Sequence, residues 1–378
     1  MEKTEKKRPI RVLQIGLTRN IGGLETYLIA QFQHLNRSNV TYDFVNITAE
    51  YEIAFKEQIL KAGSRIYGVK SRHLNPIRHY WQWIKLLHRI APKYKAIVLN
   101  SNSLTYVFPI FLAKFFGIPL RIMHSHNTGF EQKIGFGKKL LIQFNKCLLK
   151  WGATNYFACS KLAGQWMFGH KAKFKVIPNA IDCAQFQYNP IQRGKIRKQL
   201  QLENNFVVGH VGRFMYQKNH EMLIQIFYEI YKQNPAARLL LIGDAVGDQS
   251  YLEKAKLLVH KLGLEQAVLF LGMRKDVPQL MQAMDCFLLP SRFEGLPVVG
   301  IEAQAAGLPC FFSDTITTEV GITNLAYFLS LQNDPKKWAD FILDNRQQVR
   351  KKTQNCIAQA GYEIDTAAKQ IEKWYLEQ

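Results

Sequence analysis

The chain has 378 residues, 47 % hydrophobic and 21 % charged, an ordinary globular composition with room for two domains that each bury a core. Its excess charge is one-sided: residues 1–190 carry a net +19 and residues 191–378 a net +2, so the first half implies an anionic partner surface. Six scattered cysteines with no C-x-x-C and no histidine at ligand spacing argue against a zinc site and for a reducing compartment. The charged start MEKTEKKRPI does not read as a signal peptide. The best spanning candidate, Tyr106 to Met123, is broken by Pro109, Lys114, Gly117, Pro119 and Arg121.

In chain order, Arg11 to Gly16 reads as a strand, followed by a loop with the pair Gly22 and Gly23 and an apolar-periodic helix. Two glycines there allow a ligand close to the backbone, but this is no G-x-G-x-x-G and implies no dinucleotide. Thr41–Asn46, Arg65–Gly68, Ala96–Asn100 and Leu120–Met123 read as further strands, the last running into His124-Ser125-His126-Asn127. Histidines past a strand's carboxyl end lie where open α/β sheets bind ligands. Pro76 to Ile90 interleaves Ile77, Trp81 and Ile84 with Arg78, Lys85 and Arg89, and fits an interfacial helix or a buried amphipathic one equally well. Gln132 to Trp151 sets Leu140, Leu141 and Phe144 among Lys133, Lys138, Lys139 and Lys146. It reads as part of a surface for anionic lipid or a lipid-linked acceptor.

The polar, basic stretch Tyr188 to Leu202 is the expected boundary. Phe206–Val211 then opens a second series of strands and runs into Gly212-Arg213-Phe214-Met215-Tyr216-Gln217-Lys218-Asn219. An Arg and a Lys five apart in a glycine-led loop can grip two oxygens of a diphosphate. Leu239–Gly243 and Ala267–Leu271 follow, the latter leading to Gly272 and Arg274. The most informative stretch is Asp285 to Asp314: a buried strand (Cys286–Leu289), a loop, a helix opening at Pro297, and a strand from Cys310 to Phe312. Pro suits a first helical position, and Gly307 before Pro309 is a stop signal. A strand-loop-helix unit of this kind aims free N–H groups and the positive helix end at the loop, an anion site. Glu294 and Glu302 beside such a site would repel phosphate, which suits them to accepting hydrogen bonds from neutral hydroxyls such as those of a sugar. Alternating strands and helices in both halves indicate an α/β protein of two doubly wound parallel-sheet units.

Strand, Ser-x-x-Glu-Gly (Ser291, Glu294, Gly295), helix and Glu302 resemble the signature of the retaining GT-B glycosyltransferases, the large family that includes sucrose synthase and bacterial mannosyltransferases. The Gly-Arg-x4-Lys-Asn run at 212–219, the Gly-Gly-x-Glu of 22–25, His126 and the Pro-Asn-Ala-Ile-Asp of 178–182 resemble its other motifs, with Ala180 in place of the usual Gly. The resemblance spans about residues 10–375. It implies two Rossmann-like domains facing a cleft: 1–190 for the acceptor, 191–360 for a nucleotide-sugar, and a helix in 361–378 packing back toward the first. It implies Arg213, Lys218 and the backbone of Gly295, Leu296, Pro297 and Val298 at the diphosphate, and Gly272 and Arg274 at the nucleobase. Glu302 would take the ribose, Glu294 and His126 the donor sugar, and Gly22 and Gly23 the donor phosphates. Without an Asp-x-Asp, neither metal nor separate cofactor is expected, and UDP-sugars are the commonest donors. The absence of Gly-Gly in 313–319 resembles the exopolysaccharide and capsule branch. A peripheral enzyme at the cytoplasmic leaflet, elongating a polyprenyl-diphosphate-linked glycan and binding no nucleic acid, is therefore expected. A sugar-nucleotide 2-epimerase on the same fold and a basic nucleic-acid-binding protein are the alternatives.

Overall fold

Apolar runs that alternate with amphipathic helices fold here into two all-parallel sheets. The computed structural model describes residues 8–20, 22–130, 134–245, 247–346, 350 and 352–378. The charged tail before Arg8, Ile21 of the first loop, and Gln132 and Lys133 of the basic stretch lie outside the described residues. The chain divides into two compact units, Met1–Ala180 with Glu363–Gln378, and Ile181–Tyr362.

The first unit contains β1 (Ile10–Ile15), β2 (Val40–Asn46), β3 (Ile66–Gly68), β4 (Ala96–Ser101), β5 (Leu120–Ser125), β6 (Asn155–Ala158) and β7 (Lys175–Val176), in the order β3-β2-β1-β4-β5-β6-β7. α1 (Gly23–His34) and α2 (Lys56–Lys61) cover one face. α3 (Pro76–Ile90), α4 (Phe108–Phe115), α5 (Phe136–Gly152) and α6 (Lys161–Phe168) cover the other. His124 therefore lies on β5 itself, and only His126 lies beyond the strand.

The second unit begins with α7 (Cys183–Phe186) and α8 (Pro190–Gln199). Its strands are β8 (Phe206–Val211), β9 (Ala237–Ile242), β10 (Val268–Gly272), β11 (Cys286–Leu289), β12 (Cys310–Ser313) and β13 (Ala326–Leu329), in the order β10-β9-β8-β11-β12-β13. Between them run α9 (His220–Gln233), α10 (Ser250–Lys261), α11 (Val277–Ala283), α12 (Val298–Ala305), α13 (Pro335–Asp344) and α14 (Gln354–Gln359). Leu239, Leu241, Phe227, Phe311 and Trp338 form part of one core. The terminal helix α15 (Ile364–Leu376) belongs to the first unit. Its Ala368, Ile371 and Tyr375 share a core with Tyr27 and Tyr42, and its Glu372 accepts from Asn39 Nδ2 at 2.6 Å.

The stretch Tyr188–Leu202, expected as the domain boundary, holds a helix docked on the second unit, and the division falls earlier, at Ala180/Ile181. The cause is electrostatic. Arg193 and Arg197 on α8 both reach Asp285, and Arg193 also donates to the carbonyls of Gln282 and Met284 at 3.0 and 2.7 Å, the negative end of α11. Asp285 in turn accepts the Val207 N–H at 2.7 Å, tying α8 to the first strand of its sheet. Asp285→Ala leaves two guanidinium groups with one shared anion removed. It is expected to lower the stability of the second unit by on the order of 3 kcal/mol in urea unfolding.

Candidate active site

In the second sheet β8 sits between β9 and β11, so the connections after β8 and β11 leave on opposite sides and open a crevice at their carboxyl ends. The backbone at this end is close-packed. Gly243 has φ +139°, and a Cβ added to it would lie 2.1 Å from the Gly212 carbonyl oxygen, so no other residue fits there. After Gly212 the chain makes a short helical turn, Tyr216–Lys218, and Asn219 adopts the left-handed conformation (φ 55°) that turns it into α9.

The two loops flanking the crevice are fastened together. The Arg292 N–H donates to the Gln217 carbonyl at 2.8 Å, and the Arg292 side chain donates to the Tyr216 carbonyl at 2.8 Å while lying over the Tyr216 ring. Glu294 receives Gln217 Nε2 on one oxygen at 2.8 Å and Lys218 Nζ on the other at 2.7 Å. The Lys218 and Glu294 side chains are only 13 % and 9 % exposed. Two residues given separate tasks from the sequence, phosphate for Lys218 and sugar for Glu294, thus form one ion pair. Arg213 is exposed and makes no hydrogen bond or ion pair among the described residues.

Glu302 lies within α12, partly buried. Burial pushes its carboxyl up to about 7, with the nearby Lys218 ammonium pulling the other way. Pro297 is the N-cap of α12 and Val298 the first helical residue, one position later than expected. Because Pro297 has no N–H, it offers no amide to an anion at either position. Gly272 ends β10 with φ +65° and accepts the Gly243 N–H at 2.9 Å. Arg274 turns back in a two-point pair with Asp276, at 2.7 and 2.6 Å.

Several supporting residues escape the sequence reading. His210, fully buried on β8, bonds the Leu288 carbonyl of β11 at 2.9 Å, and burial lowers it to about 3. His220, stacked 4.1 Å from Phe214, is held neutral by burial and by the neighbouring His210 and Lys218. Two uncharged rings therefore floor the cationic loop. Gln304, buried, donates to Gly300 and Val320 and accepts from Ile322, Thr323 N and Thr323 Oγ1, which fixes the 320–323 loop on α12. The only sequence signals are polar residues inside apolar runs, in VVGHV and in the small-residue helix around Gln304.

In the first unit the winding reverses between β1 and β4. Gly16 (φ +145°) has no room for a Cβ, which would lie 2.7 Å from the Asn100 Cβ. Gly22 caps α1, and in the first turn Glu25 accepts the Thr18 hydroxyl at 2.7 Å. Asn100 Nδ2 donates to Gln14 Oε1 and to the Ile15 carbonyl, both at 3.0 Å, which assigns Asn100 Oδ1 as the acceptor facing His126 Nε2 at 3.1 Å. Nε2 of His126 therefore carries the proton, and burial lowers the ring to about 3. His124, 4.0 Å away between ring centroids, is a core residue kept neutral by burial and by His126. Among the described residues no three His, Cys, Asp or Glu side chains gather as metal ligands.

Residues 192–374 match the family model of glycosyl transferases group 1, and residues 21–185 that of glycosyltransferase family 4. Over 364 residues, 93 % of either chain, the sequence is 30 % identical to EpsF of Bacillus subtilis, named as a glycosyltransferase. It is 25 % identical over 326 residues, 83 % of this chain and 81 % of the other, to the Escherichia coli UDP-Gal:alpha-D-GlcNAc-diphosphoundecaprenol alpha-1,3-galactosyltransferase. The Anabaena protein HepE in complex with UDP-glucose shares the fold, with TM-score 0.80 and 21 % identity over 98 % of this chain and 100 % of that one.

Two outcomes are expected. A carboxyl raised in the folded state favours folding below its unfolded pKa and loses that advantage as pH rises through the folded one. Wild-type unfolding free energy should therefore fall relative to Glu302→Gln between pH 4.5 and about 7. By nitrogen NMR, His126 should be a neutral Nε2–H tautomer at pH 5, and Asn100→Asp should raise its pKa.

Proposed function

The chain belongs to the group 1 glycosyltransferases, and from that premise we propose that it transfers a sugar from a UDP-sugar to a polyprenyl-diphosphate-linked glycan in exopolysaccharide or capsule synthesis. Transfer proceeds with retained anomeric configuration and without a divalent metal or separate cofactor. The observation that carries the reading is the partly buried group of Lys218, Glu294 and Glu302 at the crevice of the second sheet, with Arg213, unpaired among the described residues, on the loop of Lys218.

Breaking the sugar–phosphate bond gathers negative charge on the leaving diphosphate and makes the sugar oxocarbenium-like, so fixed positive groups are the main requirement. Arg213 offers a fork for two oxygens. Lys218 has three ammonium protons; one stays on Glu294 while another turns to a phosphate oxygen. Glu294, oriented by Gln217 and Lys218 with both oxygens as acceptors, is assigned to a sugar hydroxyl. Glu302, poised near neutrality, accepts from ribose hydroxyls when ionised and donates when protonated. Gly272 and Arg274 are assigned to the nucleobase, and the backbone of Gly295, Leu296 and Val298 to the diphosphate. In the first unit, assigned to the acceptor, Gly22, Gly23 and the neutral His126 are its rim groups.

The UDP donor and the lipid-linked acceptor are supported by the activity for which the Escherichia coli relative is named, and UDP also by the ligand of the Anabaena structure. A peripheral position on the cytoplasmic leaflet is supported by the +19 of the first half. No helix among the described residues is long and apolar enough to cross a membrane.

In a thermal-shift screen a UDP-sugar should raise Tm where GDP-sugars do not. Lys218→Ala and Glu302→Ala should each cut transfer about 10²- to 10³-fold, with EDTA without effect. Unchanged transfer in both variants would refute the assignment, and release of epimerised sugar without acceptor would identify an epimerase instead.

A further inference from the structure

The first unit carries a second apolar surface that its own core does not use. α3 buries Trp83, Leu86, Leu87 and Ile90, yet Ile77, Trp81 and Ile84 are exposed, Ile77 by 83 %. Spacings of four and three put those three on one outward stripe. α5 repeats the pattern more strongly. Of its 17 residues only Asn145, Leu149 and Gly152 are buried, while Phe136, Leu140, Phe144 and Trp151 are exposed at helical spacing, Phe136 by 77 %. α4 packs between the two, and its Phe115, itself exposed, meets Trp151 at 5.5 Å. Exposed apolar stripes of this kind on three helices packed in a row mark an interaction site.

The charge around it selects the partner. Residues 58–181 hold 20 Lys and Arg and a single acid, Glu131, and α3, α4 and α5 hold no acid at all. Lys139, Lys146 and Lys150 run along α5 beside the aromatic stripe. Lys85 and Lys114 lie over the Trp81 and Trp151 rings at 5.1 and 3.6 Å. Their apolar stems can lie along the apolar surface while the ammonium groups stay in the headgroup layer. A bilayer leaflet with anionic headgroups over acyl chains presents both chemistries in that order.

We propose that the outer faces of α3, α4 and α5 dock this protein on an anionic lipid leaflet, with the strand carboxyl-end edge foremost. In a parallel α/β sheet each connecting helix starts where the preceding strand ends, so Ile77 and Phe136, in the first turns of α3 and α5, share the edge that carries Gly22, Asn100 and His126. This deepens, and rests on, the assignment of a lipid-linked acceptor: its chain stays in the bilayer while its sugar reaches that edge.

The test is sedimentation of the full chain with phosphatidylglycerol/phosphatidylcholine vesicles against phosphatidylcholine alone. I77D/F136D and K139E/K146E/K150E should each lose at least about tenfold in partitioning, with melting temperature unchanged. K61E/K93E/K171E makes the same charge change at the strand amino ends and should bind like wild type. The proposal is overturned if wild type ignores anionic vesicles, or if K61E/K93E/K171E loses as much as K139E/K146E/K150E. It is equally overturned if light scattering shows a dimer that I77D/F136D dissociates while vesicles bind neither form. Stabilisation by UDP, measured on the same samples, separates the two readings. Retained UDP binding without vesicle binding rejects only the docking face, and the reverse rejects only the UDP-donor assignment.

Discussion

Both sheets are parallel and covered by helices on two faces, and this constraint governs where chemistry can occur in the molecule. A strand buried on both sides must be apolar along its length, as Leu239–Ile242 and Cys286–Leu289 are. Polar groups are driven to strand ends or must be fully paired where they remain inside. Asp43 shows the second outcome: it is completely buried on β2, ion-paired to Arg11, and accepts the Tyr94 hydroxyl at 2.5 Å and the Arg65 N–H at 2.7 Å. The carboxyl ends show the first, and the two winding reversals, at β1/β4 and β8/β11, leave the openings.

At the second opening one cation serves two acids. Lys218 is bonded to Glu294 and close enough to Glu302 to act on its titration. Full ionisation of both acids would leave a net negative charge in a partly buried place, and Glu302 holds its proton more tightly as a result of that burial. An incoming diphosphate would meet repulsion if Glu294 and Glu302 were both charged and free; the pairing of Glu294 and the raised proton affinity of Glu302 reduce it. The neutral His210 and His220 add no cation beneath the loop, so Arg213 and Lys218 are the cations that loop 212–219 itself offers a ligand.

Much of this was legible in the sequence because it is local. Cys286–Leu289 and Phe206–Val211 are the observed strands to the residue, since hydrophobic runs bounded by Gly, Pro or charge define themselves. The segments holding Arg213, Lys218, Glu294 and Glu302 were legible through their resemblance to the motifs of a family, and the group 1 match covers them. What could not be read is contact between distant segments. Lys218 and Glu294 are 76 positions apart and Asn100 and His126 are 26, and neither pairing alters any local pattern. The polar composition of Tyr188–Leu202 marks a boundary, yet α8 within it is held by Asp285, about 90 residues on, through Arg193 and Arg197. Lys175–Val176 is too short and too weakly apolar to declare itself, and owes its strand conformation to a neighbour in the sheet.

The same distinction explains α5. A helix in a globular unit draws most of its stability from a packed face, and this one buries three residues of 17. Its N-cap, Gly135, provides no side-chain hydrogen bond and its first turn holds no acid to complement the dipole. Such a helix sits at the low-stability end of its unit, where an external surface can change its energy most. Burying Phe136, Leu140 and Phe144 would each contribute up to about 1.5–3 kcal/mol, comparable to what an ordinary core face supplies. Like charge on the acid-free helices α3, α4 and α5 opposes close approach of two copies through this exposed aromatic surface.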